Sequence, residues 1–99
     1  MNNEMDDFSI KPGTPNVYGL IGSEANKIES KKSPLSSMSP TIVFKDSKPF
    51  LITGSQGGSM IINTVFQEIL NTIEFNMELS ESNEKSRIHY QWKPSVLFH

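Results

Sequence analysis

The 99-residue sequence contains no cysteine, which excludes disulfide bonds and cysteine-ligated metal. Positive charge is not in surplus either: 9 lysines and arginines face 11 acidic residues, for a formal net charge of −2. No basic face is on offer to nucleic acid or to an anionic membrane surface. The one basic pair, Lys31–Lys32, reads as a solvated loop. No apolar run approaches the roughly 20 residues needed to span a bilayer. The opening "MNNEMDDF" lacks the apolar segment of a secretory signal. Histidine is scarce: His89 and His99 have no metal-ligand spacing and read as structural or exposed, so no metal or other cofactor is expected. Met1, Met5, Met38, Met60 and Met77 form no stripe, and no internal repeat is present.

A chain of this length allows one domain at most and a modest core. Residues 1–39 are dense in turn signals, "KPGTPN", "GLIGS", "KKSP" and "SMSP", which predict an irregular, extended segment. Phe8, Ile10, Val17, Tyr18, Leu20 and Ile21 are its possible anchors. From Thr41 the pattern tightens. "TIVFK" and "FLITG", separated by "DSKP", predict a hairpin at about 41–55. The consecutive Ile42, Val43 and Phe44 suit a strand buried on both faces. Ile62, Val65, Phe66, Ile69, Leu70 and Ile73 then form one helical stripe, predicting a helix at about 59–75 with Ser59 as N-cap. The polar "SESNEKS" and the aperiodic "IHYQWKPSVLFH" close the sequence, with Trp92 expected in a core.

Two stretches carry possible chemistry. "PLSSMSPT", Pro34 to Thr41, sets hydroxyls between prolines and serves either as a linker or as a small rigid anion clamp. "TGSQGGS" joins the second strand to the helix. Its glycines permit a sharp turn with unshielded N–H groups, beside the positive end of a helix. Such a junction is either a structural turn or a site for a phosphate, a carboxylate or a developing oxyanion. It matches neither a Walker loop nor G-x-G-x-x-G.

Taken in order, "NNEMDDFS", "KPGTPNVYGLIG", "PLSSMSPTIV", "FLITGSQGGS" and "IINTVFQEILN" resemble the small subunit of γ-glutamyltransferases (glutathione hydrolases). The likeness covers about residues 2–76 and is weaker to 94. It implies an α+β chain, part of an N-terminal-nucleophile hydrolase with a four-layer αββα sandwich. Residues 1–99 are then a single partial domain, the C-terminal part of that small subunit. The implied activity is transfer of the γ-glutamyl group of glutathione to water or to amino-acid or peptide acceptors. By the same resemblance, Ser36 and Ser37 hydrogen-bond the substrate's α-carboxylate, and Glu4 and Asp7 hold its α-ammonium. Gly57 and Gly58 form the oxyanion hole through their backbone N–H groups, while Asp6 is structural. The implied partners are glutathione or other γ-glutamyl compounds and a large subunit or further small-subunit segment; neither nucleic acid nor a membrane span is expected. The family is usually periplasmic or extracellular.

Departures from the family pattern accompany the match. Gln56 stands where the family has proline, Met60 where it has arginine, and Ser23 and Ser47 where it has glycine; the Ala-Pro expected before Arg87 is missing. The family's nucleophile, an N-terminal threonine, precedes the matched stretch. Thr14, Thr41, Thr53, Thr64 and Thr72 are internal and lack the free α-amine that acts as base. The expectation is a γ-glutamyltransferase fragment that is inactive alone. The alternatives are a complementing subunit of a split enzyme and a non-catalytic γ-glutamyl- or glutathione-binding module.

Overall fold

In the computed structural model, residues 4–99 are described; Met1 and the Asn2–Asn3 start of the first motif lie outside them. The chain divides into two compact units, meeting between Ser37 and Met38.

The first unit bears out the irregular reading. Its regular pieces are single 3-10 turns at Met5–Asp7 and Glu24–Asn26. Between them the backbone doubles back, with bridges pairing Ser9 with Lys27 and Pro15 with Ile21. The Asn16 side chain closes the bend by accepting from the N–H groups of Tyr18 (3.0 Å) and Leu20 (2.9 Å). Gly22 is required by close approach, since a Cβ there would meet Ser9 Cβ at 2.6 Å. Phe8 is buried, whereas the other proposed anchors, Ile10, Val17, Tyr18, Leu20 and Ile21, are exposed. Of the lysine pair, Lys31 is exposed and Lys32 meets Glu29 at 3.0 Å.

The second unit contains the hairpin and helix that the sequence predicts. Strand β1 (Thr41–Lys45) pairs antiparallel with β2 (Lys48–Thr53). The connection is shorter than "DSKP": only Asp46 (φ 50°) and Ser47 (φ 61°) form the turn, a two-residue loop whose positive φ values match the right-handed twist of the flanking strands. Pro49 sits within β2 opposite Phe44, beside a register shift, a position where a missing N–H is tolerated. Expected burial on both faces is not observed. Leu51 is buried and Val43 half-buried on the face toward the helix, while Ile42, Phe44, Phe50 and Ile52 on the other are 48–69% exposed.

Helix α1 spans Ile61–Ile73 and is preceded by a 3-10 turn at Gly58–Met60. Ser59 therefore lies inside that turn and is not the N-cap; its hydroxyl donates to Gln91 Oε1 at 2.8 Å. Asn76, at φ 51°, closes the far end, with the Met77 N–H donating to the Asn71 carbonyl at 3.0 Å, a left-handed helix stop. The buried face consists of Ile61, Val65 and Glu68. At 100° per residue it is rotated by roughly a quarter turn from the predicted stripe, and Ile62, Phe66 and Ile73 are exposed. A second short helix, α2 (Leu79–Glu84), which the sequence did not announce, packs on α1 through the fully buried Ser82, whose Oγ accepts from Asn71 Nδ2 at 3.3 Å. Trp92 is 68% exposed, contrary to expectation, with Lys93 Nζ 4.4 Å from its ring centroid.

Candidate functional site

Glu4 and Asp7 share one 3-10 turn, closed by Asp7 N–H donating to the Glu4 carbonyl at 3.0 Å. Three carboxylates within four residues give that turn a strong negative potential. Burial pushes the Asp7 carboxyl above its ordinary value, and Glu4 and then Asp6 push it further in the same direction. Asp6 occupies the middle of the turn and caps nothing.

Asn26, which the sequence reading did not single out, ties this turn to the serine segment. Its Nδ2 donates to the Asp7 carbonyl at 2.6 Å, and its Oδ1 accepts from the Leu35 N–H at 3.3 Å. Leu35 immediately precedes Ser36, which is exposed, and Ser37, which is half-buried. One amide side chain thus bridges the two segments that carry the four predicted head-group residues. A lone asparagine in the mostly polar stretch "SEANKIES" gives no periodic signal, so no pattern in the sequence marks it.

Gly57 and Gly58 lie in the second unit, between β2 and α1, at φ 118° and 57°. A Cβ on Gly57 would have 3.7 Å to Met60 Cβ, so space does not demand glycine there; the left-handed backbone does. Met60 N–H donates to the Gly57 carbonyl at 3.1 Å, which fixes the turn. Among the described residues, neither glycine N–H donates a hydrogen bond within the chain. Two unengaged donors just ahead of a helix can receive an anion or a developing negative charge. Beside them an open cleft of about 550 Å³ is lined by Met38, Ser39, Pro40, Gly54, Ser55 and Gln56.

Behind this turn runs a polar cluster built from α1 and the last segment. Gln91 Oε1 accepts from Ser59 Oγ at 2.8 Å and lies 2.9 Å from His89 Nε2; His89 Nδ1 lies 2.9 Å from Asn63 Nδ2. His89 is buried, as a structural histidine, and is bridged to Phe98 by two backbone bonds of 3.0 Å. A second buried cluster centres on Glu68, which accepts from Thr53 Oγ1 and meets Arg87 at 3.0 Å, locking helix, strand and tail together. Among the described residues no group of three or more histidine or acidic side chains is arranged to hold a metal ion, and no helix is long and apolar enough to cross a membrane.

The chain's structural neighbours are gamma-glutamyltranspeptidases, of the N-terminal-nucleophile hydrolase class, and the α+β composition of the chain agrees with them. A Helicobacter pylori gamma-glutamyltranspeptidase mutant superposes with a TM-score of 0.88 at 62% identity, over 98% of this chain and 52% of that one. The Pseudomonas nitroreducens gamma-glutamyltranspeptidase complexed with L-DON gives 0.84 at 46% identity, over 95% and 49%. The gamma-glutamyltranspeptidase family profile matches residues 1–98, and the chain belongs to that family. Among curated relatives, the glutathione hydrolase proenzyme of Escherichia coli is 56% identical over 97 residues, 98% of this chain and 17% of that protein. The proenzyme of Bacillus subtilis is 47% identical over 89 residues, 90% and 14% respectively. The chain thus spans about a sixth of the length of the curated relatives it matches.

Proposed function

We propose that the chain is the part of a γ-glutamyltransferase, or glutathione hydrolase, that holds the glutamyl head and the oxyanion. The observation that carries this reading is the glycine turn with two unengaged N–H groups, in a chain 62% identical to a gamma-glutamyltranspeptidase over nearly its whole length. A γ-glutamyl donor such as glutathione presents a zwitterionic amino-acid head and a side-chain amide. Ser36 and Ser37 donate to the α-carboxylate; Glu4 and Asp7 accept from the α-ammonium. When the nucleophile, a threonine carried outside these residues, adds to the amide carbonyl, negative charge moves onto the carbonyl oxygen. The Gly57 and Gly58 N–H groups receive it there, already oriented, so little reorganisation opposes the step. The glutamyl group then passes to water or to an amino-acid or peptide acceptor.

On this reading residues 1–99 are one partial domain, the C-terminal part of the small subunit. The hairpin and α1 contribute one strand pair and one helix to a four-layer αββα sandwich. Further chain and a large subunit cover the outer faces of β1, β2 and α1. No cofactor takes part.

The test places all 99 residues in the position of the homologous stretch of the Escherichia coli relative. In that hybrid, Ser36→Ala with Ser37→Ala is expected to raise KM for a γ-glutamyl anilide by at least about tenfold, because hydrogen bonds to a charged group contribute roughly 1.5–3 kcal/mol each. The bound carboxylate is unchanged between ground and transition states, so kcat moves far less. An unaltered KM returns Ser36 and Ser37 to the role of a linker. The 99 residues on their own are expected to release no chromophore.

A further inference from the structure

The part-buried cluster behind the glycine turn, with buried His89 at its centre, has a direction, and its hydrogen bonds specify it. The Gln91 Nε2 donates to the Lys93 carbonyl at 2.9 Å, which assigns the other amide atom, Oε1, as oxygen. That oxygen can only accept, so Ser59 Oγ–H and His89 Nε2–H both donate to it. With Nε2 donating to Gln91, Nδ1 is left facing Asn63 Nδ2, an amide donor 2.9 Å away. The network attaches to the start of the helix at two points. Ser59 lies in the 3-10 turn that opens α1, and Asn63 lies one helical turn further on. His89 is held from the other side by its paired backbone bonds to Phe98.

We propose that His89 and Gln91 are positioning residues for the oxyanion turn, acting through the Ser59 hydroxyl to hold Gly57 and Gly58 in their left-handed conformations. The inference rests on the reading of that glycine pair as an oxyanion hole. Two consecutive left-handed glycines form an intrinsically loose stretch, because glycine alone has no side chain to restrict it. Within the turn the backbone bond from Met60 to Gly57 is one restraint. Ser59, directly after Gly58, is where the side-chain network attaches, and its anchor is a buried ring 30 residues further along the chain. Gln56 removes the stiffening of the family's proline on the upstream side, which leaves the downstream anchor as the main restraint. The residues that do this, Ser59, Asn63, His89 and Gln91, touch no reacting atom; they fix where the N–H groups point.

The hybrid enzyme tests this. Gln91→Met keeps the side chain's length and removes the acceptor, whereas Gln91→Glu keeps an acceptor oxygen. The expected result is a fall in kcat of about 10- to 100-fold for Gln91→Met, the cost of small misplacements of catalytic groups, with KM for the donor changed by less than about twofold. Gln91→Glu restores most of that kcat. Because Gln91→Met risks poor folding, Ser59→Ala cuts the same relay at its half-buried end beside the glycines and is expected to show the same split. An active hybrid in which neither Gln91→Met nor Ser59→Ala lowers kcat, or in which KM rises as much as kcat falls, overturns the positioning role alone. A hybrid that matures but turns over no donor overturns the oxyanion reading of the glycines, and the positioning role with it.

Discussion

At the scale of single residues, Asp7 is where local electrostatics bears on the proposed head-group role. Burial, then Glu4, then Asp6 raise its carboxyl above the ordinary 3.8. The folded chain therefore holds that proton to higher pH than the unfolded chain does, so this group's contribution to stability declines as pH rises from 3.8 through the raised value. Binding runs the other way. A glutamyl ammonium needs the ionised carboxylate, so donor affinity is present above the raised value and lost as pH falls through it. In the hybrid enzyme KM for a γ-glutamyl anilide is expected to climb at a higher pH than an unperturbed aspartate would give. Asp7→Asn is expected to raise KM throughout and flatten that climb. An identical pH profile in wild type and variant would remove Asp7 from the head-group site. The sequence made Glu4 and Asp7 visible through a motif, and Gly57 and Gly58 through the turn chemistry of consecutive glycines. It gave no warning of Asn26, Glu68 or Gln91. Their roles depend on partners 9 to 32 residues away, and a polar side chain with a distant partner leaves no local pattern.

Elements were legible by type and less so by orientation. β-branched and aromatic runs around Asp-Ser announced the hairpin, and the 3.6-residue period announced α1. The helix's phase could not be read, because α1 is apolar on two sides: Ile61 and Val65 face the hairpin, while Ile62, Phe66 and Ile73 are exposed. Periodicity sums both faces and points between them. Buried Glu68, on the hairpin side, reads in sequence as a solvated position. Helix α2 was missed because "LSESNE" has no apolar stripe; it is held by Ser82 against Asn71 and by the exposed Lys85–Glu81 pair. The hairpin turn yields a prediction of its own. Ser47 sits at φ 61°, a conformation that costs a residue with a Cβ about 1 kcal/mol relative to glycine. Ser47→Gly is expected to slow hydrogen exchange of the β1–β2 amides in the hybrid by about fivefold, the equivalent of that energy. Unchanged or faster exchange would mean that the serine's positive φ carries no strain.

For the molecule as a whole, the decisive quantity is how little apolar surface the chain hides by itself. The buried apolar side chains among the described residues are Phe8, Leu51, Ile61 and Val65. Against them stand the outer face of the hairpin, Ile42, Phe44, Phe50 and Ile52, and the second face of α1, Ile62, Phe66 and Ile73, all exposed. A two-stranded hairpin is marginal in water, and one packed helix adds only a small core. Apolar residues lie on both faces of the strands and on two sides of α1, and on the proposed reading further layers cover the exposed ones. Among the described residues β1 and β2 also each keep an unpaired edge, the usual template for unwanted association. The 99 residues alone are therefore expected to behave as a loosely packed or aggregating species. They should bind an apolar dye strongly and melt without a cooperative transition, while the same residues inside the hybrid enzyme unfold cooperatively. Circular dichroism melts and sedimentation at several concentrations check this directly. A sharp two-state melt of a monomer, with dispersed amide resonances, would show that the small core suffices. The chain would then be an autonomous unit, and a γ-glutamyl-binding module would become a better description of it than a piece of an enzyme.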